Sequence, residues 1–388
     1  MRKLFYLPNI IAGLVAVIVG FTSSVAIIFQ AAAAAGATPA EISSWLLALG
    51  MGMGVTSIGL SLYYRIPILI AWSTPGAALL VTSLSGIPMQ EIIGGFIFSA
   101  ALITLSGITG IFEKVMVYIP KSLASAMLAG ILLHFGMNVF IAMQNQFLLG
   151  FSMFTAYLVG KRIFPRYVIL LVLLLGILIA QTKGLFLSQH INITLSHPIF
   201  TMPVFSLSTI ISIGIPLFIV TMTSQNIPGI AIMHAAGYKP RISSTISWTG
   251  VTNLLLAPFG GYAFNLAAIT AAICLGDEAD HNPATRYRAA VYAGIFYVIT
   301  GLFAATVVAI FLALPKELVL IIAGLALFGT IGLSLRAAVE NDAHREPALI
   351  TLLVSASGVS LFGIGSAFWG LVAGVLSFML LTLVIRNK

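Results

Sequence analysis

The sequence predicts an all-α polytopic membrane protein with fourteen transmembrane segments, arranged as two inverted repeats of seven spans. Three observations support this fold class. Hydrophobic residues make up 60% of the chain and charged residues only 7%, with a mean hydropathy of +1.11, whereas about a quarter of the residues in soluble domains are charged. Basic residues are unevenly divided between alternate loops, and the two halves of the chain share a motif.

Apolar stretches of near-spanning length define the segments, and Gly, Pro or charged residues bound each one. The fourteen stretches begin near Pro8, Ile42, Pro67, Pro88, Ser122, Phe147, Tyr167, Ser208, Ile242, Gly260, Tyr287, Leu318, Pro347 and Gly363. The first follows Arg2 and Lys3 as the apolar part of a signal peptide would, but the run from Leu7 to Ala35 is too long for one. We therefore predict a retained first span.

The basic residues predict the orientation. With the amino terminus inside, sixteen of the eighteen Lys and Arg residues fall in cytoplasmic segments, and only Lys183 and Lys316 fall outside, as the positive-inside rule requires. This distribution supports an even number of spans and places both termini in the cytoplasm. The net charge of +8 is scattered singly between apolar runs, so no nucleic-acid partner is predicted.

An internal repeat relates the two halves. The segment from Ile119 to Gly130 matches that from Leu314 to Gly324, at an offset of 195 and then 194 residues, and Gly110-Ile111-Phe112 matches Gly301-Leu302-Phe303. Because seven spans per half is an odd number, the halves must be inverted in the membrane. The polar stretch from Lys183 to Ser206 is predicted to connect them.

Spans 3 and 10 each contain a predicted break. Pro67 to Leu84 fits about five extended residues followed by a helix, with Thr74 as N-cap and Pro75 at the first helical position. Gly260 to Leu275 fits the same pattern with Asn265 as the cap. Five extended residues span roughly 16 Å and ten helical residues roughly 15 Å, together about one hydrocarbon thickness. Each helix is therefore expected to begin near the midplane, where its free N–H groups and dipole favour an anion.

Paired interrupted spans mark the binding sites of many transporters. The residues at the two predicted helix starts are accordingly candidates for substrate binding: Ser73, Thr74, Gly76 and Asn265. Trp72, Tyr262 and Phe264 border the starts and either stack on an aromatic ligand or fill space between helices. Tyr262 is included among the predicted substrate-binding residues.

Polar residues inside spans 8 and 1 add further candidates. Gln225 and Asn226 lie in a polar patch just before Pro228, and they either hydrogen-bond a substrate or join neighbouring helices. Gln30, with Ser23 and Ser24 nearby, occupies the matching region of span 1, and the same two interpretations apply to it.

His134 is the one ionisable residue deep within a predicted span. It is either a proton carrier, since His titrates near neutral pH, or a neutral side chain bonded to a backbone carbonyl. All ten acidic residues fall in loops or at span ends. The midplane therefore lacks the carboxylate that a bound cation would need.

No cofactor, metal or enzyme chemistry is predicted. Cys274 is the single cysteine, no Cys/His cluster has metal-ligand spacing, and no nucleophile, acid and base group together. The glycine run from Gly50 to Gly54 imitates a nucleotide-binding loop, but in an apolar helix it predicts close helix packing.

Six motifs identify the sequence as similar to the benzoate:proton symporter (BenE) family over essentially the whole chain. They run from Gly20 to Ser24, Ala71 to Ala78, Pro120 to Gly130, Ser224 to Gly229, Ala267 to Ile273 and Gly363 to Gly370. That family resembles uracil, xanthine and sulfate permeases and bicarbonate exchangers. The resemblance implies a UraA-like fold in which a core domain, spans 1–4 and 8–11, moves like an elevator against a gate domain, spans 5–7 and 12–14.

The implied boundaries are 1–195 for the first repeat, with core 1–113 and gate 114–195, and 196–388 for the second, with core 205–313 and gate 314–388. His134 would then lie on the gate side.

Nucleobase permeases hold the base with glutamates on spans 8 and 10, where this chain has Gln225, Asn226 and Asn265. That departure disfavours a nucleobase and favours an anion. The resemblance implies proton-coupled uptake of benzoate or a related aromatic carboxylate across a bacterial inner membrane. An anion channel or passive exchanger on the same scaffold, or a nucleobase permease, are the alternatives, and the sequence leaves open whether the chain forms a homodimer.

Overall fold

The computed structural model of the chain describes residues 6–110, 120–165, 167–186, 192–268, 270–277, 279–359, 361–362 and 364–385. Several predictions concern residues outside this part. They are the core–gate boundary at 113/114, the repeat match at Ile111 and Phe112, the start of span 14 at Gly363, and the basic residues Arg2, Lys3, Lys114, Arg166, Arg386 and Lys388.

Helices make up most of the described structure. They are α1 (Leu7–Ala34), α2 (Pro39–Tyr64), α3 (Thr74–Ser83), α4 (Met89–Thr109), α5 (Lys121–Asn145), α6 (Phe147–Ile163), α7 (Val168–Thr182), α8 (Leu207–His234), α9 (Ile242–Leu256), α10 (Ala271–Leu275), α11 (Tyr287–Leu302), α12 (Ala304–Ala313), α13 (Lys316–Val339), α14 (Arg345–Ala356) and α15 (Ser366–Ile385). Two short strands, β1 (Ile70–Trp72) and β2 (Phe264–Leu266), interrupt them.

Six of these helices are long and apolar enough to cross a membrane: α1, α2, α4, α5, α8 and α13. A seventh span results if the segments Pro283–Leu302 and Ala304–Ala313, bent by 66° at their junction, are counted as one. The mostly helical polytopic membrane architecture is thus confirmed. The count of fourteen spans stays a prediction, because several remaining helices are shorter than a bilayer is thick.

Helix pairing in the described residues follows a two-fold pattern. α2 packs along α11, and α4 packs along α9, while α5 packs along α13. Exchanging the two halves converts the first pair into the second and leaves the third unchanged, as an internal repeat of the two halves predicts. The inversion of one half relative to the other stays a prediction. The division into core and gate domains stays a prediction.

Glycines set the close approach of α2 to α11. A Cβ atom on Gly50 would lie 2.6 Å from the Cα atom of Gly301, and one on Gly294 would lie 2.7 Å from the carbonyl oxygen of Gly54. These distances leave no room for side chains, so the glycine run serves helix packing, as the sequence predicts.

α8 is not a regular helix. Two π-helical turns, Ile210–Gly214 and Met222–Asn226, alternate with α-helical segments, and a proline follows each turn, at Pro216 and Pro228. Proline lacks the N–H that would bond the carbonyl four residues earlier, and a π-turn is one way to accommodate that loss. Gln225 and Asn226 are the last two residues of the second π-turn, and Asn226 is fully buried there.

The described part of the connector, residues 192–206, contains no helix or strand and contacts both halves of the chain. Its backbone N–H groups at Ser196, Thr201 and Val204 donate to the carbonyls of Leu302 (2.8 Å), Pro258 (2.8 Å) and Gln90 (2.9 Å). The connector therefore forms hydrogen bonds to residues at or near the ends of three helices, α4, α9 and α11.

Candidate functional site

The two strands meet and pair in antiparallel fashion at the centre of the described structure. Ile70 lies opposite Leu266, Ala71 opposite Asn265, and Trp72 opposite Phe264. All but one of these six residues are buried, and Ala71 is partly buried. Residues almost half a chain apart thus share one hydrogen-bonding ladder.

Side chains satisfy the outer edges of this two-stranded sheet. Ser57 Oγ accepts from the Ile70 N–H at 2.9 Å, Asn253 Oδ1 accepts from the Phe264 N–H at 3.0 Å, and Asn226 Oδ1 accepts from the Leu266 N–H at 3.0 Å. Unpaired backbone groups are costly inside a membrane, where water cannot compensate them. These polar residues therefore permit open strand edges in an apolar setting.

The N-cap of α3 is Ser73, so the prediction of Thr74 as N-cap was wrong by one residue. Ser73 Oγ accepts from the Gly76 N–H at 3.0 Å, and the Ser73 N–H donates to the Ala263 carbonyl at 3.0 Å. Because β1 continues to Trp72 to pair with β2, Ser73 is the last residue before the helix, and Pro75 occupies the second helical position. Ser73 and Gly76 thus serve the cap.

Replacing Ser73 with Ala is expected to lower the free energy of unfolding by about 1 kcal/mol, because the cap bond is lost. Thr74→Ala, one residue along, should change it by less than half of that. Thermal unfolding of the purified variants measures both effects. Equal destabilisation by the two changes would contradict the assignment of the cap to Ser73.

Asn265 is not a helix cap, and this prediction was wrong. It lies inside β2, its Nδ2 donates to the Ala263 carbonyl at 2.8 Å, and its Oδ1 has no hydrogen-bond partner among the described atoms. Strand pairing keeps the backbone extended here, so the helix begins only after Thr270. It spans five residues, α10, instead of the predicted ten or so.

A cavity of about 490 Å³ opens beside the start of α3. Its polar lining residues include Thr22, Ser23, Ser24, Thr74, Gln225, Thr270 and Thr330, its aromatic ones are Trp72, Tyr157 and Tyr297, and Lys161 is the one charged residue among the described residues that line it. Lys161 is exposed, so the cavity reaches the surface there. The first residues of α10 line the same cavity.

The lining residues come from two groups of helices. One group comprises α1, α2, β1, α3, α8, α10 and α11, and the other comprises α6, α7 and α13 with the segment joining α6 to α7. The cavity is therefore lined by helices from both halves of the chain.

Hydrogen bonds fix the indole of Trp72 at the cavity wall. Its Nε1 donates to Ser24 Oγ at 2.8 Å, and Ser24 Oγ in turn donates to the Gly20 carbonyl at 2.8 Å. The rings of Phe21 and Trp72 lie 5.3 Å apart between centroids. Trp72 and Ser24 thus form a rigid aromatic surface beside the start of α3.

Six of the eight predicted substrate-binding residues lie at the cavity or directly behind it. Thr74 and Gln225 line the cavity, whereas Ser73, Gly76, Asn226 and Asn265 support it from behind through the cap and the strands. Asn226 also donates from Nδ2 to the Met222 sulfur on the same helix at 3.0 Å, and its bond to the Leu266 N–H joins α8 to β2.

Tyr262 and Gln30 lie outside the cavity lining. Tyr262 is 1% exposed and packs against Trp45 and Phe96, with ring centroids 5.9 and 5.1 Å away. Gln30 follows Phe29, whose ring stacks on that of Phe311 at 4.7 Å. Tyr262 thus packs among aromatic side chains, and its assignment as a substrate-binding residue stays a prediction.

His134 lies on α5, away from the cavity lining, with its Nε2 2.8 Å from the Ala356 carbonyl oxygen at the end of α14. Because a carbonyl oxygen can only accept a hydrogen bond, His134 Nε2 is the donor. A bond of this kind to a backbone carbonyl is one of the two interpretations given for His134 from the sequence.

Sequence reasoning missed Lys161, Thr270, Ser57 and Asn253 as parts of the site or its support. Lys161 is a loop cation by its sequence context, and only the packing of α6 against α13 brings it to the cavity. Ser57 and Asn253 give no signal of their own, because single polar residues in apolar helices are common packing elements. Within the described residues, no group of His, Cys, Asp and Glu side chains is arranged to hold a metal ion.

Comparisons with known proteins agree with the resemblance. Residues 4–380 match the family model described as benzoate membrane transport protein. The chain is 48% identical to the inner membrane protein YdcO of Escherichia coli K12, over 98% of each chain. It is 38% identical to the benzoate membrane transport protein of Acinetobacter baylyi, over 98% of this chain and 97% of that one.

Solved structures share the fold at low sequence identity. The transmembrane domain of the cyanobacterial bicarbonate transporter BicA aligns with a TM-score of 0.64 at 13% identity, covering 95% of this chain and 97% of that one. Murine Slc26a9, an anion transporter, aligns with a TM-score of 0.63 at 12% identity, covering all of this chain and 70% of that one. The family match covers nearly the whole sequence, so the chain belongs to the benzoate membrane transport protein family and is a membrane transporter rather than an enzyme.

Proposed function

We propose that the chain is a secondary active transporter that takes up benzoate or a related aromatic carboxylate together with a proton. The observation that carries this proposal is the composition of the 490 Å³ cavity: hydroxyl and amide groups, aromatic rings, one lysine and no Asp or Glu among its described lining residues. Such a site favours an apolar ring with one negative charge. The name of the Acinetobacter baylyi relative supports the same substrate class.

The carboxylate is proposed to bind beside Thr74. α3 is ten residues long, so its dipole places partial positive charge at this end, and anions are stabilised there. The Gln225 amide, which lines the same cavity, supplies a neutral donor. Trp72 offers its ring to the aromatic part of the substrate.

The transport movement is proposed to be elevator-like. Lining residues divide between the predicted core, 1–113 and 205–313, and the predicted gate, 114–195 and 314–388, with Thr74 and Gln225 on the core side and Tyr157 and Lys161 on the gate side. A substrate held mainly by one assembly can travel with it past the other.

Uptake into proteoliposomes tests the function. We expect uphill accumulation of benzoate when the outside is made acidic, and loss of that accumulation when a protonophore dissipates the gradient. A channel or passive exchanger cannot accumulate substrate against its gradient, so equilibration without accumulation would contradict the proposal. Stabilisation of the purified protein against heat by uracil, and not by benzoate, would favour a nucleobase permease.

Lys161→Gln is expected to lower the rate of benzoate uptake about five-fold at low salt, because an exposed cation at the cavity mouth attracts the anion. The difference should shrink at high ionic strength, where charges are screened. Arg162→Gln, the neighbouring exposed residue that does not line the cavity, is the matched control. Equal losses in both variants would show a general surface effect instead.

His134 is proposed to carry the coupled proton. His134→Gln keeps an N–H that can donate to the Ala356 carbonyl but removes the titratable ring, so we expect benzoate binding to persist while proton co-movement is lost. Internal acidification during uptake, recorded with a pH-sensitive dye, measures this. Unchanged acidification traces would assign His134 to packing alone.

The bacterial inner membrane is the proposed location, supported by the name of the Escherichia coli relative. Both termini are proposed to be cytoplasmic, on the charge distribution given above. A protease added to right-side-out vesicles should leave a carboxy-terminal tag intact, whereas cleavage of the tag would place that end outside.

A further inference from the structure

A second concave surface lies on the outside of the molecule, between α2 and α9. It encloses about 750 Å³ and shares no lining residue with the substrate cavity. Val55, Gly59, Tyr63, Trp248 and Leu255 line it, and Arg241 lies at one end. We call this surface the α2–α9 groove.

Two side-chain hydrogen bonds join the helices along the groove. Tyr64 Oη and Ser244 Oγ lie 2.6 Å apart near one end, and Thr56 Oγ1 and Thr252 Oγ1 lie 2.9 Å apart further along. Between them Gly59 contributes no side chain, and a Cβ atom there would meet nothing within 4 Å. The groove is therefore open space held at a fixed width.

The lining of the groove is apolar and exposed along its length. Exposed fractions are 57% for Val55, 78% for Tyr63, 55% for Trp248 and 68% for Leu255. From Arg241 to Leu255 the helix rises roughly 21 Å at 1.5 Å per residue. This length is about half of the 40–45 Å that a bilayer measures with its headgroups, so the groove is as long as one leaflet is deep.

Charge occurs only at one end. Arg241 is exposed, its guanidinium carbon lies 6.0 Å from the Tyr64 ring centroid, and no acidic residue is among the described lining residues. Lys239 precedes it by two positions. Guanidinium groups pair well with phosphates, and basic residues beside an apolar crevice between helices are typical of anionic lipid sites.

We propose that the α2–α9 groove binds one anionic phospholipid, with an acyl chain along the trough beside Gly59 and the phosphate at Arg241. The apolar, leaflet-length trough suits an acyl chain, and the single basic end suits a phosphodiester. This site is separate from substrate transport and does not depend on the proposed substrate.

Native mass spectrometry of the purified chain, incubated with equal amounts of phosphatidylglycerol and phosphatidylcholine, tests the proposal. Two variants test the two parts of the site separately. Gly59→Leu fills the apolar trough, and Arg241→Gln removes the charge at its end. Gly332→Leu on α13, also an open glycine, and Arg336→Gln, also exposed, are the matched controls. Thermal unfolding of each variant checks its folding.

We expect the wild type to retain phosphatidylglycerol in preference to phosphatidylcholine. Arg241→Gln should reduce that preference about five-fold, the equivalent of about 1 kcal/mol per basic residue at a membrane surface. Gly59→Leu should reduce retention of both lipids, the controls should behave as wild type, and excess inorganic phosphate should displace neither lipid. If Gly59→Leu does not fold, Trp248→Ala replaces it, with the same expected loss of both lipids.

Three results would overturn the proposal. They are wild-type lipid retention by the folded groove-filling variant, an unchanged lipid preference in Arg241→Gln, and displacement of bound phosphatidylglycerol by inorganic phosphate. Loss of self-association in Gly59→Leu, with lipid retention unchanged, would assign the groove to a second copy of the chain and would equally overturn the proposal.

Discussion

Gln225→Glu is expected to raise the dissociation constant for benzoate at least about 100-fold at neutral pH. Gln225 lines the cavity, whose described lining residues include no carboxylate. Two like charges about 4 Å apart repel by about 4 kcal/mol at an effective dielectric constant of 20. Isothermal titration of the purified variant with benzoate measures the change.

Two controls separate charge from shape. Gln225→Met keeps the length of the side chain without charge and should weaken binding about ten-fold, because a hydrogen bond to a charged group contributes about 1.5 kcal/mol at the lower end of its range. Gln181→Glu places the same charge on the exposed end of α7, outside the cavity, and should bind as wild type. Lowering the pH should restore binding to Gln225→Glu as its carboxyl group becomes protonated. Wild-type affinity in Gln225→Glu at neutral pH would place the carboxylate elsewhere.

Asn226→Leu is expected to be the most destabilising of the substitutions that we consider. Asn226 is fully buried, and its Oδ1 is the acceptor for the Leu266 N–H at the open edge of β2. Leaving a buried donor unpaired costs about 1–3 kcal/mol in proteins and several kcal/mol in a hydrocarbon setting. We expect a sharp fall in the yield of folded protein and in the unfolding temperature, measured by size-exclusion chromatography after heating.

Asn192→Leu is the matched control, because Asn192 lies exposed in the connector and its side chain makes no hydrogen bond described for it. It should unfold at the wild-type temperature. Ser57→Ala removes the corresponding acceptor for the Ile70 N–H at the edge of β1 and should destabilise in the same direction. Wild-type stability of Asn226→Leu would mean that the edge of β2 finds another partner.

The sequence predicts the helix start in span 3 correctly to within one residue, whereas its prediction for span 10 is wrong. Pro75 with its preceding hydroxyl residues indicated a helix start in span 3, and α3 begins within one residue of the predicted position. In span 10 the cap pattern at Asn265 was equally good locally. The strand there pairs with one 194 residues earlier, Ala71 with Asn265, and that pairing overrides the local preference for a cap.

For the adjacent residues Gln225 and Asn226, too, the sequence predicts a site but not the role of each side chain. Their position in a polar patch before a proline marks both as candidates, yet one lines the cavity and the other bonds to β2. Adjacent residues on a helix point roughly 100° apart, and only the packing of α8 against the strands decides which side faces the cavity.

Composition and hydropathy alone determined that this chain is a helical membrane protein, because the cost of burying polar backbone and charge in lipid acts on every segment independently. Motifs within single segments determined the family. The tertiary structure decided which residue caps α3, which side chains close the strand edges, and that Lys161 reaches the cavity. Each of those depends on contacts between different segments of the chain, and the pattern within a single segment does not encode such contacts.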